Sequence, residues 1–214
     1  MNDFEKMRKG LFYNPEGESI YKAHEKGLSL QQAINRLPWK AKRRRAAYMR
    51  KLISQSKGDI AFYPPFHCEY GCNIVTGKNF FMNFNCTILD VATVTIGDNV
   101  MFGANVTIAT PVHPLIAEER QIREYPDGYH DIEYARPVVI EDGVWLASNV
   151  TVAGGVTIGS GSVIAAGSVV TRNVPSGVLA GGIPCRVIRP ITEEDRMDPW
   201  NTYLAEKTPT RGGK

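Results

Sequence analysis

The sequence predicts a mainly β protein: a parallel β-solenoid that follows an N-terminal helical segment and is interrupted by a long loop. The main observation is a period of six, since large apolar residues recur at that interval at Ile96, Phe102 and Ile108, and again at Ile140, Leu146, Val152, Ile158, Ile164 and Val170. A weaker series precedes them at Thr76, Met82 and Ile88. The residue after each large one is usually small. A sustained period of six is typical of hexapeptide β-solenoids.

Each hexapeptide is expected to supply one short strand and one turn, and three of them to form a triangular coil. The large residue points inward, the small residue fits the tight corner, and nearby Asn and Gly suit turn positions with positive φ. We count about four coils, over residues 76–95, 96–113, 140–157 and 158–175. Solenoids of this class are left-handed parallel β-helices, against the usual right-handed crossover rule.

The first 57 residues predict a helical segment that caps the start of the solenoid. We expect a short helix near the N-terminus and a longer one that Gly27 interrupts. Pro38 is expected to open a third helix, with Trp39 on its buried side. Solenoids need such covered ends.

A run from Arg36 to Lys57 contains nine Lys or Arg and no acidic residue. It forms either the solvated face of a helix or a basic rim that attracts an anionic ligand. The net charge of +3 is too small to require a nucleic-acid partner, and the run lacks the interleaved aromatics of a nucleic-acid surface.

Composition indicates a globular protein without a membrane span. Apolar residues are 43% and charged residues 22% of the chain, and no run of about 18 apolar residues occurs. The N-terminus does not resemble a signal peptide, so we expect a cytoplasmic location. The four cysteines are expected to be free thiols, and Cys68 and Cys72 lack partners at zinc spacing, so no metal is expected.

The repeat lapses between residues 112 and 136 and then resumes in phase. We therefore expect an excursion from one coil that folds over a site, since loops of this length are usually functional or disordered. The solenoid is expected to span residues 58–190. Residues 191–214 are expected to form a C-terminal tail that is frayed from Thr208 onward.

His113 is the main candidate for chemistry because it lies where the chain leaves a coil for the loop. A neutral imidazole there could act as a general base, which typically contributes about 10²–10⁴-fold to a rate. A structural or exposed histidine is the alternative from position alone. The histidine spacing does not favour a metal-dependent solenoid enzyme.

Several motifs together resemble the maltose/galactoside O-acetyltransferase family. They are Tyr-Gly-Cys-Asn-Ile at 70–74, Asn-Phe-Asn-Cys-Thr-Ile-Leu-Asp at 83–90, Ile-Gly-Asp-Asn-Val at 96–100, the His113-Pro114 pair, and Gly-Ile-Pro-Cys-Arg-Val-Ile-Arg at 182–189. The resemblance covers about residues 4–192.

The resemblance implies a homotrimer with active sites between subunits and acetyl-CoA along the clefts. It implies that His113 activates a sugar hydroxyl, which attacks the thioester directly, so that no thiol acts as a nucleophile. No metal, nucleic-acid or membrane partner is implied.

The resemblance also assigns binding residues. On the acceptor side it implies Asn83 and Glu133. It also points to three positions where this chain departs from the galactoside type: Asn14, Glu69 and Val91. For the CoA arm it implies Ser148, Ala166, Thr171, Arg172, Arg186, Arg189 and Trp145.

Two other classes of function stay open. The chain could acetylate an amino sugar, an antibiotic or a lipo-oligosaccharide, or it could be a catalytically inactive solenoid scaffold. A scaffold would have no need of His113 or the two arginines.

Overall fold

The computed structural model describes residues 1–207, which form a parallel β-helix with helices at both ends. The helices are α1 (Asp3–Arg8), α2 (Glu18–Arg36), α3 (Lys42–Leu52) and α4 (Pro199–Lys207). Short 3-10 turns lie at Ala117–Arg120 and Glu193–Asp195. The prediction of a mainly β solenoid with an N-terminal helical segment is confirmed.

Three parallel sheets form the faces of the solenoid. The first contains β1 (Gln55–Ser56), β4 (Ile74–Thr76), β7 (Val94–Ile96), β14 (Val138–Ile140) and β17 (Thr157–Ile158). The second contains β2 (Ala61–Phe62), β5 (Phe81–Met82), β8 (Met101–Phe102), β15 (Trp145–Leu146), β18 (Val163–Ile164) and β20 (Val178–Gly182), with β21 (Cys185–Pro190) antiparallel at its end. The third contains β3 (Phe66–Cys68), β6 (Cys86–Leu89), β9 (Thr107–Ala109), β16 (Thr151–Ala153) and β19 (Val169–Val170).

The residues that recur every six positions form the core. All twelve predicted inward residues are at most 1% exposed: Thr76, Met82, Ile88, Ile96, Phe102, Ile108, Ile140, Leu146, Val152, Ile158, Ile164 and Val170. Each stacks on its equivalent in the next coil, as Ile96 does on Ile140. Full burial of one such aliphatic side chain contributes about 1.5–3 kcal/mol. The stacked columns therefore provide most of the driving force for winding the chain.

Asparagines turn the corners, as predicted. Asn85, Asn105 and Asn149 have φ values of 59°, 60° and 61°, a left-handed conformation that Asn tolerates better than most residues. Their amides form a ladder along the corner, with Asn85 donating to Asn105 at 2.9 Å and Asn105 donating to Asn149 at 3.0 Å.

The solenoid begins earlier than the repeat. Its first strand, β1, lies before residue 58, and a whole coil precedes the first repeat residue, Thr76. Helix α2 covers this coil, and the Asn35 side chain donates to the Phe66 carbonyl at 2.8 Å and accepts from its amide at 3.0 Å. Because the helix supplies these partners, the edge strand needs no preceding coil.

The helical segment differs from expectation in three ways. Gly27 does not interrupt α2, which is continuous from Glu18 to Arg36. Trp39 is 52% exposed rather than buried, and Pro38 lies in the turn before α3 rather than in its first turn. Within the basic run Arg45 is 4% exposed, so that run is not simply a solvated face.

Gly27 is required by a close approach of two backbones. A Cβ there would lie 2.7 Å from the Tyr70 carbonyl oxygen and 2.9 Å from that of Glu69. The helix can therefore pack directly on the turn at 69–70, and the favourable contact outweighs the low helix propensity of glycine, about 1 kcal/mol.

The loop between residues 112 and 136 is an ordered excursion. Strands β10 (Pro111–Val112) and β13 (Tyr134–Ala135) pair antiparallel at its base, and β11 (Arg123–Tyr125) pairs with β12 (Gly128–His130) further out. The loop therefore leaves and re-enters the solenoid at one point.

Asp127 ties the outer hairpin to the N-terminal segment. Its carboxylate accepts a hydrogen bond from the side-chain NH₂ group of Asn14 at 3.1 Å and lies 3.0 Å from Nε2 of His130. The other ring nitrogen of His130, Nδ1, donates to the Asp131 carbonyl at 2.6 Å. Contact with the Asp127 carboxylate, then the bond to Asp131, raises the pKa of His130. The pKa of Asp127 is lowered, first by the His130 contact and then by Asn14.

The solenoid closes in a β20–β21 hairpin, after which the chain runs to α4. The frayed end expected from Thr208 lies outside the described residues. No helix within residues 1–207 is long and apolar enough to cross a membrane.

We expect Gly27→Ala to destabilise the protein. The gain in helix propensity, about 1 kcal/mol, is outweighed by overpacking against the 69–70 backbone, which costs about 1–3 kcal/mol. Denaturant unfolding at fixed protein concentration measures the change. Ser29→Ala, at an exposed position of the same helix, is the control; a Gly27→Ala protein more stable than wild type would contradict the packing argument.

We expect Asp127→Asn to lower the pKa of His130 toward the ordinary histidine value of about 6.5. The raised pKa means that the His130 contribution to stability is present below about pH 6.5 and lost as the pH rises through the folded-state value. The lowered pKa of Asp127 means that its own contribution is lost only as the pH falls below about 3.9. NMR titration of the imidazole resonances measures the shift, with His67 as an internal reference; an unchanged His130 titration would contradict the assigned cause.

Candidate functional site

His113 lies opposite Glu133 at the base of the loop. The β10–β13 ladder pairs Pro111 with Ala135 and Val112 with Tyr134, so His113 and Glu133 are the next facing residues. Nε2 of His113 lies 3.9 Å from Oε1 of Glu133, and the imidazole is 49% exposed. This distance is too long for a hydrogen bond, but the imidazole has a carboxylate as its neighbour. Its other side is open to solvent.

Tyr13 holds Glu133 from the other side. Its hydroxyl donates to Oε2 of Glu133 at 2.7 Å, and the two residues exchange backbone hydrogen bonds of 3.1 and 3.2 Å. The Tyr13 side chain is 2% exposed. Burial, followed by the bond to Glu133, raises its pKa, so the phenol stays protonated and can only donate to the carboxylate.

Tyr13 was not among the residues predicted for the site. The only signal was its position beside Asn14, because its partner Glu133 is far away in the chain. Only the pairing of the N-terminal segment with the loop brings the two together.

A second apolar cluster, separate from the solenoid core, packs around Tyr13 and so supports its contact with Glu133. It joins α1, α2, the turn before β4 and the base of the loop through Met7, Tyr13, Ile20, Tyr70, Val91, Ala92 and Ala135. Val91 is 5% exposed, because an apolar side chain gains free energy by burial. Its side chain is therefore packed in this cluster, and its predicted position beside the acceptor stays a prediction.

Asn14 and Glu69 border the same cluster but already have partners. The side-chain NH₂ group of Asn14 donates to Asp127 at 3.1 Å, and its side-chain oxygen accepts from the backbone amide of Glu16 at 2.8 Å. Glu69 lies 3.0 Å from Nε2 of His24. Both side chains therefore have polar partners within the chain.

Asp131 joins His113 and Glu133 in a small polar group. One donor atom from each lies within 4.8 Å of the others. A histidine and two carboxylates are possible cation ligands, but the expected chemistry uses the histidine itself. The carboxylates can instead favour an imidazolium that forms during proton transfer.

A groove of about 600 Å³ runs along the second sheet. Phe81, Met101, Trp145, Val163 and Leu179 form an outward column along it. Four of the predicted residues line the groove: Asn83, Trp145, Ser148 and Ala166. The structure therefore brings together one residue that was predicted for the acceptor and three that were predicted for CoA.

The corner beside this groove is built from backbone and small residues. The amides of Asn83, Gly103, Ala147 and Ala165 each donate to the next coil, at 2.8–2.9 Å except for 2.7 Å at Gly103. A Cβ at Gly103 would lie 2.5 Å from the Ser148 amide nitrogen. The Asn83 side-chain oxygen accepts from the Phe84 amide at 2.8 Å, so its NH₂ group is the part that can donate to a ligand.

The remaining predicted CoA residues lie apart from the groove lining. Thr171 and Arg172 are exposed just after β19. Arg186 is exposed on β21, and its guanidinium donates to the Cys185 carbonyl at 2.8 Å. Arg189 forms a bidentate ion pair with Asp195, with hydrogen bonds of 2.6 and 2.7 Å. Its guanidinium charge is therefore already paired.

The cysteine thiols are poor nucleophiles. All four are free, as expected. Burial raises the pKa of Cys86, which lies nearest in sequence to Asn83, to about 11. A thiol protonated at neutral pH does not form an acyl-enzyme readily.

His113 and Asn83 lie at different corners of the chain. Asn83 follows β5, between the second and third faces, whereas His113 follows β9 and β10, at the end of the third face. One protomer therefore presents two partial sites: the polar group around His113, and the groove that begins at Asn83.

Two family models match the solenoid. The model of the bacterial transferase hexapeptide (six repeats) matches residues 137–172, and that of the hexapeptide repeat of succinyl-transferase matches residues 93–113. Both matches fall on the two predicted series of large residues.

Relatives match nearly the whole chain. A galactoside O-acetyltransferase from Escherichia coli (strain K12) is 36% identical over 204 residues, which are 95% of this chain and 97% of that protein. The crystal structure of a maltose O-acetyltransferase from Clostridium difficile 630 has a TM-score of 0.83 and 40% identity, covering 90% of this chain and 99% of that one. A hexapeptide-repeat acetyltransferase from Vibrio cholerae O1 biovar eltor, solved with acetyl coenzyme A, has a TM-score of 0.79 and 37% identity, covering 90% of this chain and 100% of that one. This chain therefore has the left-handed parallel β-helix fold and belongs to the hexapeptide-repeat acetyltransferase family, with the galactoside and maltose O-acetyltransferases as its homologues.

Proposed function

We propose that this protein is an acetyl-CoA-dependent O-acetyltransferase that acts on a sugar hydroxyl in the cytoplasm. The observation that carries the proposal is the half-exposed His113 imidazole beside Glu133, on a chain similar to galactoside and maltose O-acetyltransferases. The groove from Asn83 to Ala166 is the site proposed for the donor and acceptor.

His113 acts as the general base in the proposed mechanism. The neutral imidazole accepts the proton of the sugar hydroxyl, and the nearby Glu133 carboxylate favours the imidazolium that forms. The sugar oxygen attacks the thioester carbonyl carbon and forms a tetrahedral intermediate. Its collapse breaks the carbon–sulfur bond, and the leaving CoA thiolate takes the proton from the imidazolium. No step requires a metal ion.

The donor lies along the small-residue side of the groove. Ser148 and Ala166 are small enough for the pantetheine arm to approach the backbone, and Trp145 offers an apolar wall. Arg186, Arg172 and Thr171 are proposed for the nucleotide end, where a guanidinium suits phosphate. Arg189 contributes less in this proposal because Asp195 already pairs with it.

A homotrimer would complete the site. One chain separates His113 from Asn83, and the column beside the groove leaves Met101 and Trp145 48% and 45% exposed. Such an apolar column is suited to an interface. We propose that a neighbouring subunit covers it, so that His113 of one chain faces Asn83 of another.

The acceptor test is release of CoA thiol, followed with maltose, glucose, a galactoside, a chitooligosaccharide and an amino sugar. Turnover with a hydroxyl acceptor supports the proposal. Exclusive acetylation of the amine would favour an N-acetyltransferase instead. Failure of both turnover and acetyl-CoA binding would favour a scaffold.

We expect His113→Ala to lower kcat about 10²–10⁴-fold, because the general base is lost, while acetyl-CoA still binds. Steady-state thiol release gives kcat, and calorimetry gives the affinity for acetyl-CoA. His67→Ala serves as the matched histidine control. A kcat for His113→Ala within about threefold of wild type would remove His113 from the mechanism.

We expect Tyr13→Phe to lower kcat about tenfold, which is the loss of roughly one hydrogen bond to a charged group. Without the phenol, the Glu133 charge is less satisfied and favours the imidazolium more strongly. The acidic limb of the kcat/KM profile should therefore move to higher pH. Tyr129→Phe, at a residue 72% exposed, is the control; a loss of rate with an unmoved pH profile would mean a merely structural role for Tyr13.

A further inference from the structure

A row of aromatic rings continues the groove beyond Asn83. Tyr63 occupies the corner position of the preceding coil: its amide donates to the Met82 carbonyl at 3.1 Å, just as the Asn83 amide donates to Phe102 at 2.9 Å. Adjacent strands of a sheet are about 4.8 Å apart. The step from Asn83 to Tyr63 is therefore comparable with the step from one sugar ring to the next.

Three rings are stacked at this position. Tyr63 lies between Trp39, with ring centroids 5.4 Å apart and planes at 13°, and Phe84, with centroids 4.8 Å apart and planes at 22°. Phe81 meets Tyr63 edge-on at 5.8 Å. Trp39 and Phe84 nevertheless remain 52% and 51% exposed.

Trp39, at one end of the row, is held in place by a buried cation. Arg45 is 4% exposed, and its guanidinium donates to the carbonyls of Leu37, Pro38 and Trp39 at 2.9–3.3 Å. It also lies 5.6 Å from the Trp39 ring centroid. These bonds offset part of the cost of burying a charge, although Nε of Arg45 has no hydrogen-bond partner among the described residues. They tie the half-exposed Trp39 to α3.

A cavity of about 270 Å³ lies beside the row. Its lining includes Trp39, Tyr63 and Phe81, together with Lys42 and the buried Arg45. Phe81 also lines the larger groove that contains Asn83, so the two spaces adjoin. Aromatic surface with a few polar groups is the usual composition of a small-molecule site.

The order of the corner residues gives the direction of binding. The proposed CoA positions follow Asn83 along the solenoid, at Ser148 and Ala166, whereas Tyr63 precedes it. An acceptor ring at Asn83 that extends away from the proposed donor positions therefore meets the aromatic row.

We propose that this row, formed by Trp39, Tyr63 and Phe84, is an acceptor subsite for the second sugar ring of an oligosaccharide. The apolar C–H face of a pyranose packs on the exposed aromatic surface, while the Tyr63 hydroxyl and Lys42 ammonium offer hydrogen bonds to its hydroxyls. The inference rests on the proposed sugar O-acetyltransferase activity and specifies its substrate class: acceptors of two or more rings.

The test compares kcat/KM for maltose and maltotriose with that for glucose, in wild type, Trp39→Ala and Phe84→Ala. Wild type is expected to prefer the longer acceptors. Each variant is expected to lower the ratio of oligosaccharide to glucose kcat/KM about three- to tenfold, as for loss of one aromatic contact. Tyr21→Ala removes a ring that is 67% exposed on α2 and should leave the ratio unchanged.

Two variants separate the subsite from local damage, because Phe84 adjoins Asn83 in the chain whereas Trp39 does not. Equal loss on glucose and oligosaccharides in both variants, or an unchanged ratio, overturns the subsite while leaving the proposed activity intact. A change in oligomeric mass for Trp39→Ala would assign the row to a subunit contact and also overturns it. Failure of wild type to acetylate any sugar overturns the proposed function, and this inference with it.

Discussion

Stacking of large side chains inside the solenoid is the interaction on which everything else depends. Each coil buries one of the recurring large residues on every face, and the equivalent residue of the next coil lies directly above it, as Phe102 does over Met82. The stacking sets the register of all three sheets, because a slip of one residue would turn every apolar side chain outward. The positions of the groove and of the corner at Asn83 depend on this register.

The N-terminal helices do more than cover an end. Their apolar side chains form the second cluster, which Ala135 joins from the base of the loop. This places Tyr13 against Glu133, and Glu133 beside His113. The same helical segment carries Arg45, which holds Trp39 against Tyr63. The cap of the solenoid therefore contributes residues both to the polar group around His113 and to the aromatic row at Tyr63.

Local pattern was enough to predict the inward residues, the corner asparagines and the loop. The family resemblance, rather than the local pattern, pointed to Asn83, Trp145, Ser148 and Ala166, and these four residues line one groove because residues in register on a solenoid share a face. Local pattern was not enough where a partner is distant in sequence. The contact of Tyr13 with Glu133 could not be read from a motif. Trp39, which stacks on Tyr63 of the solenoid, was wrongly expected to be buried.

The sequence by itself determined the period, and so the fold and the core, because a repeat of six admits few ways to bury its large residues. The motifs at 70–74, 83–90 and 182–189, rather than the period, indicated the family. Tertiary structure alone decided which side chains meet at the site. Tyr13, Glu133 and His113 come from the N-terminal segment and the two ends of the loop, and their contact depends on the packing of α1 and α2 against the solenoid. Such contacts join residues up to 120 positions apart in the chain, where no local spacing can encode them.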